Sequence, residues 1–311
     1  MGSPRRSDDL QKRAAHVGTA ARADPRLRRL LRSTALLLSA MCASLVVLSP
    51  TPATAADAQT NRIRIEYFAP EDPTLQPIYE MLKERRALEK LHEIFSPFRL
   101  PIELTLRTGS CQGVSNAWYD RPTVSVCYEY VNEILRSMPK ETTPAGVTPA
   151  DAVFGQFFYV FAHEMGHAAF DIFEVPIFGN AEDAADHFAA YIMLQFGMNQ
   201  ARPLIMGAAF AYKRYVQNLE VTAPLAAFSE AHAAPAQRYF NLLCLAYGAN
   251  AKVFGDLVDK GYLPESRAKT CKREYDQVTF AFRDLIVPHL DKELARQVLD
   301  KTWLPDVKPR S

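Results

Sequence analysis

The stretch from Pro149 to Phe173, "PADAVFGQFFYVFAHEMGHAAFDIF", limits the fold more than any other part of this chain. It reads as one long helix. Thr148, Pro149 and Asp151 have the pattern of an N-cap, a first-turn proline and a capping acid, and Phe154, Phe157, Phe158, Phe161 and Phe170 give it a large apolar surface to bury. Gly166 allows a neighbouring element to approach closely. Residues four apart share a helical face, so His163 and His167 can aim two imidazoles at one point. The rest of the chain must cover the phenylalanines and leave that point open.

Enough material is present to do so. The chain has 311 residues, 48% hydrophobic and 23% charged, which suits a globular protein with a real core. The first 55 residues differ from the remainder, holding nine basic residues (Arg5, Arg6, Lys12, Arg13, Arg22, Arg26, Arg28, Arg29, Arg32) against Asp8, Asp9 and Asp24. Without them 27 of the 36 basic and 32 of the 35 acidic residues remain, a net charge of minus five.

An apolar run from Thr34 to Ser49 follows the basic stretch, and Ala53-Thr54-Ala55 supplies small residues in an A-x-A arrangement. This order reads as a secretory signal with a long basic n-region, residues 1–55, cleaved after about Ala55. The run is shorter than the ~20 residues that span a bilayer comfortably, and an uncleaved N-terminal membrane anchor is the competing reading. The basic residues sit directly before the apolar run, so they indicate targeting, and no nucleic-acid partner is expected. The remainder, 56–311, is expected to be a single exported domain, periplasmic or secreted.

Of the five cysteines, Cys42 lies within the signal. The other four, Cys111, Cys127, Cys244 and Cys271, form an even set that favours disulfides in an exported protein. Three connectivities are open, and pairing sequence neighbours, Cys111 with Cys127 and Cys244 with Cys271, is the expectation. No C-x-x-C occurs to make a cysteine metal site.

The coarse element order is a small sheet, then helices. "RIRIEYFAP" and "IELTLRT" alternate with the period of half-buried strands, and the region between them, "LQPIYEMLKERRALEKLHEIFSPF", has helical spacing. "NAWYD" and "TVSVCYEY" read as two strands around a tight turn. From Tyr128 onward the pattern is helical: "EYVNEILRSM", the long helix, "NAEDAADHFAAYIMLQF" with Asn180 as N-cap, "RPLIMGAAFAYKRYVQNL", "PAQRYFNLLCLAYG", "AKVFGDLVDKG" and "SRAKTCKREYDQVTFAFRDLIVPHL". The fold class expected is α+β, with the H-E-x-x-H helix in a mainly helical body.

H-E-x-x-H on a helix places Glu164 beside the histidine pair, where it can reach a water on a zinc ion as general base. A catalytic zinc takes three protein ligands and keeps an open position. Six residues after His167 stands Phe173, which argues against the metzincin plan, and Asp171 on the same helix reaches such a point poorly. The next helix offers Glu182 and Asp186, four apart. Glu182 as third ligand, with Asp186 holding a ligand histidine's other ring nitrogen, is the economical assignment, ahead of Asp183 or Asp186 as the ligand. His232 in "SEAHAAPAQR" is a candidate for stabilising the oxyanion of a transition state. Arg238 and Tyr239 are weaker candidates, His187 is expected to face away, and His92 and His289 read as structural. "NAWYD" reads either as an edge strand that aligns an extended peptide or as a strand held by its neighbouring cysteines.

"HEMGH" with "EDAAD" resembles the gluzincin plan, as in thermolysin. A nearer likeness, over "CQGVSNAWYD", "VCYEY", "HEMGH", "EDAAD", "AQRYFNLLCLAYG" and "LPESRAKTCKREY", is to a bacterial metallopeptidase family catalogued as a domain of unknown function. The resemblance implies a zincin-like fold, His163, His167 and Glu182 as ligands of one Zn2+ per chain, Glu164 as base, and a peptide or protein substrate. It also favours the two cysteine pairs above. The alternatives are a zinc-containing binding protein without catalysis and a metal hydrolase of a non-peptide substrate.

Overall fold

The computed structural model describes residues 62–216 and 225–304. The expected signal, its cleavage point and Cys42 lie outside the described residues.

Alternation in the first third produces a four-stranded sheet: β1 (Ile63–Tyr67), β2 (Leu104–Gly109), β3 (Ala117–Asp120) and β4 (Thr123–Cys127), in the order β1-β2-β4-β3. β1, β2 and β4 are mutually parallel, and β3 returns antiparallel along β4 as an edge strand. Leu104, Leu106, Val124 and Val126 are buried on it. The predicted single helix between the first two strands is two, α1 (Gln76–Glu84) and α2 (Ala87–Phe95). The cause is local: Arg86 takes a left-handed conformation, φ 52°, which no α-helix continues through.

The Cys111–Cys127 disulfide closes the β2–β3 loop onto the end of β4. Glu129, in the first turn of α3 (Tyr128–Ser137), accepts from the backbone N–H groups of Cys111 and Gly113, at 2.9 and 3.0 Å, and fixes the same loop. The loop that leads into edge strand β3 is thereby held twice.

The long helix is α4 (Pro149–Ile172), with Thr148 and Asp151 forming the expected reciprocal capping box. From Phe158 to Gly166 every residue is buried, so α4 is the axis of the helical body. α5 (Ala181–Gln195) is capped by Asn180, whose side chain accepts from the Glu182 N–H. At Gly166 α5 comes close: a Cβ there would lie 3.3 Å from Ala185 Cα. α6 (Met198–Phe210) packs still more tightly on another face. A Cβ on Gly207 would sit 1.8 Å from the Asp151 carbonyl oxygen, and one on Gly155 2.5 Å from that of Leu204.

The remaining helices are α7 (Pro235–Ala249), the short α8 (Ala251–Phe254) and α9 (Asp256–Asp259), α10 (Glu265–Leu285) and α11 (Lys292–Leu299). The segment expected as one helix from Arg202 to Leu219 leaves the α-helix at Phe210 and continues, among its described residues, into a 3-10 turn at Lys213–Tyr215. α11 lies beyond the helices expected from sequence. Cys244 and Cys271 join α7 to α10. The architecture is α+β, a small N-terminal sheet and a mostly helical body. No described helix is long and apolar enough to cross a membrane.

Candidate metal centre

Three side chains from two helices converge beside the sheet. His163 and His167 project from one face of α4, and Glu182 comes from the first turn of α5, where the Asn180 cap sets the register. His163 Nε2 and His167 Nε2 lie 3.2 Å apart, and Glu182 Oε2 is 3.1 Å from the first and 3.2 Å from the second. The edges of this triangle can be compared with a zinc site. Tetrahedral ligands about 2.0–2.1 Å from zinc stand roughly 3.3–3.4 Å from one another, so the donor set fits such an ion with little rearrangement.

The protonation pattern agrees with that fit. His163 Nδ1 lies 2.8 Å from Asp186 Oδ1, and because an ionised carboxylate only accepts, Nδ1 carries the proton. The Nε2 lone pair of the neutral ring is left pointing at His167 and Glu182. That lone pair and the Glu182 carboxylate are two acceptors face to face, and a cation between them, a metal or in its absence a proton, relieves the repulsion. Burial opposes a charge on His163, but the hydrogen bonds to Asp186 and Glu182 outweigh it and raise its pKa to about 9. The bond from His163, with the charges of His167 and His232, lowers Glu182 to about 2 against a smaller effect of burial. His167 is held below the usual histidine range by burial and by the charge of His163.

Asp186 is itself held. Arg238, from the first turns of α7, forks onto it with Nε–Oδ2 at 2.7 Å and Nη2–Oδ1 at 2.6 Å, and its guanidinium lies 5.0 Å from the Tyr212 ring centre and 6.0 Å from that of Tyr159. Burial works against ionisation of Asp186, yet the bonds from His163 and Arg238 keep its pKa well below the ordinary value. A chain of charged contacts thus runs Arg238–Asp186–His163. The motif on α4 gave no sign of Arg238; its buried fork on the carboxylate appears only once α7 packs against α5.

Glu164 points into a cleft of about 590 Å3 whose walls include Trp118 and Tyr119 of β3, His167, Phe170, Ile177, Glu182 and His232. Only 6% of it is exposed. Burial raises its pKa to about 7, with Glu182 adding to the rise and the charge of His163 and the Tyr119 backbone N–H drawing it back. A carboxyl poised near neutrality can both accept and return a proton.

β3 lies along this cleft. Asn116 accepts from the Cys127 N–H, and antiparallel pairs alternate between bonded and unbonded. The N–H and C=O groups of Ala117 and Tyr119 therefore face away from β4. Asp171, at the end of α4, stands outside the triangle and is occupied by the Tyr119 hydroxyl at 2.6 Å and by Arg121 at 3.2 Å.

His232 reaches the same place from a loop. Its Nε2 is 2.8 Å from Glu182 Oε2 and its ring stacks on His163 with centroids 5.6 Å apart. Asn180 donates to the Ala231 carbonyl at 2.7 Å and fixes this loop against the start of α5. Tyr239 is buried in the core, and His289 stacks on Phe173 at 4.2 Å. Burial lowers the His187 pKa, and the charges that act on it include Glu274 and Arg267 of α10. Asp183 belongs to no described group of potential ligands. Cys111, Cys127 and Glu129 do form a second such group, but the sulfurs are joined in the disulfide and the carboxylate is taken by backbone N–H groups.

Comparison with known proteins agrees with this chemistry. A family model described as "Putative metallopeptidase" matches residues 67–286, which contain every residue of the site, and the chain belongs to that family. Neither the curated proteins nor the solved structures contain a match to it. Membership implies a metal ion and a peptide or protein substrate. The two disulfides point to an oxidising compartment, extracellular or periplasmic.

Proposed function

We propose that the chain is an exported zinc peptidase of gluzincin type, with residues 1–55 as its signal and residues 56–311 as one catalytic domain. The observation that carries this reading is the closed triangle of His163, His167 and Glu182 with a buried Glu164, pKa about 7, beside it.

His163, His167 and Glu182 would hold one Zn2+. Zinc in such a set lowers the pKa of a bound water and polarises a carbonyl. Asp186, kept ionised by Arg238, fixes the His163 ring so that Nε2 faces the ion.

Glu164 takes the proton from the attacking water and returns it to the leaving amine, and a pKa near 7 suits both transfers. An extended peptide adds to the edge of β3, where the N–H and C=O of Ala117 and the C=O of Tyr119 bond its backbone, the Tyr119 N–H being held by Glu164, and set the scissile carbonyl against the histidines. His232, which lines the same cleft beside Glu182, donates to the oxyanion that develops.

Glu164→Gln tests the mechanism. The variant should retain zinc at the wild-type stoichiometry and lose peptide cleavage by at least a hundredfold, the scale of a general acid–base contribution. Wild-type protein should lose cleavage to a chelator and regain it with zinc. Undiminished cleavage by the glutamine variant would refute the assignment of Glu164.

A further inference from the structure

The face of α4 remote from the metal centre borders a second cavity, of about 270 Å3. It lies among α1, α2, α3 and the N-terminal half of α4, with Trp303 and Leu304 closing one side. Ala150, Val153, Phe154 and Phe157 recur at helical spacing and present one stripe to it. This is not a helix that packs loosely everywhere: at Gly155 and Gly207 the same helix meets α6 backbone to backbone. Protein interiors leave few voids larger than a water, and this one approaches the roughly 300 Å3 at which ligand pockets begin.

Its lining is carbon almost throughout, with two exceptions. The charged residues that line it are Arg85 and Lys90, both cationic and both exposed, and no described carboxylate lines the cavity with them. They flank the break at Arg86 that separates α1 from α2. The kink thus brings two positive charges to the rim of an apolar chamber.

We infer that this cavity binds a free monoacyl carboxylate, its chain lying among Leu82, Leu91, Ile94, Phe157 and Leu204 and its anionic head meeting Arg85 and Lys90. The inference is independent of the peptidase reading, since none of these residues lines the metal cleft.

Trp303 provides the test. The chain has two tryptophans, Trp303 in this cavity and Trp118 in the metal cleft. Dodecanoate brominated along its chain, titrated into the full-length protein below its micellar concentration, should quench wild-type fluorescence and leave Trp303→Phe unquenched. Each buried methylene changes affinity about fourfold, so decanoate should need about fifteenfold more ligand to compete than dodecanoate. In Arg85→Glu/Lys90→Glu, both substitutions being at exposed sites, dodecanoate binding should weaken at least tenfold and dodecylamine binding should strengthen. Binding of the amine reports that the cavity is intact.

Quenching that persists in Trp303→Phe would overturn the inference. So would indifference to chain length in the wild type, or quenching by brominated phosphatidylglycerol vesicles without any by free bromododecanoate, which would mark a bilayer contact instead.

Discussion

Asp186 Oδ1 lies 2.8 Å from His163 Nδ1, and this one contact decides which nitrogen of His163 faces the metal centre. It also fixes the plane of a ring that is only 3% exposed and has little room to turn. Asp186→Asn should therefore leave the three ligand residues present but weaken zinc binding 10- to 100-fold, the usual cost of losing such a partner. Competition against a fluorescent chelator measures this directly. An unchanged zinc affinity would mean that packing alone orients the ring.

The pH dependence of the metal-free protein follows from the same cluster. His163 titrates at an ordinary 6.5 when unfolded and at about 9 when folded, so its contribution to stability is complete below pH 6.5 and is lost as pH rises to about 9. Glu164, raised from 4.5 to about 7, favours the folded state at low pH in the same sense. Glu182 and Asp186 act oppositely: their depressed pKa values contribute stability above the ordinary carboxylate range that is lost as pH falls. Chelated protein should then show a falling Tm between about pH 6.5 and 9. Zinc takes the place of the His163 proton, so the gap in Tm between loaded and chelated protein should widen across that window. Parallel thermal melts at pH 6 and pH 9 test the sign.

How much of this site the sequence disclosed depends on the length scale of each interaction. The α4 motif and the capping box at Thr148 and Asp151 are local, set by residues within a few positions of one another, and the structure reproduces them. Glu182 and Asp186 required only that α5 run back along α4, which the break after Phe173 and the Asn180 cap already implied. Arg238 lies 52 residues from the carboxylate it grips. The sequence marked it only as a weaker oxyanion candidate, and its grip on Asp186 went unread because that role depends on where α7 docks. The α1–α2 break was missed for another reason: the charged run "KERRALEK" has good helix formers throughout, and nothing in it announces a left-handed Arg86. The Tyr67 hydroxyl occupies that turn, accepting from the Leu88 N–H at 2.7 Å.

Two acids sit side by side at the start of α5, and substitution should separate their roles. Glu182 Oε2 lies within 3.2 Å of both histidine Nε2 atoms, whereas Asp183 belongs to no described cluster. Glu182→Ala should lose zinc at micromolar free metal, with its native circular dichroism retained. Asp183→Ala should bind zinc as the wild type does. Metal content after gel filtration distinguishes them, and full zinc occupancy in Glu182→Ala would remove Glu182 from the ligand set.

The Cys244–Cys271 bridge ties α7, which carries Arg238, to α10 across 27 residues of sequence. Closing a loop of that length stabilises by about 3–4 kcal/mol in the chain-entropy account. Replacing both cysteines by alanine should lower the unfolding free energy by a comparable amount, and Tm with it, while the Cys111–Cys127 bridge remains. Position matters beyond stability. Gly248 of α7 lies so close to α10 that a Cβ there would be 2.2 Å from the Cys271 carbonyl oxygen, so the bridge spans two backbones already in contact. Loosening it should let α7 shift and the fork of Arg238 on Asp186 relax. The double-alanine variant should thus show weaker zinc binding as well as a lower Tm, although neither cysteine touches the site. A lower Tm with wild-type zinc affinity would show that the α7–α10 contact holds Arg238 in place without the bridge.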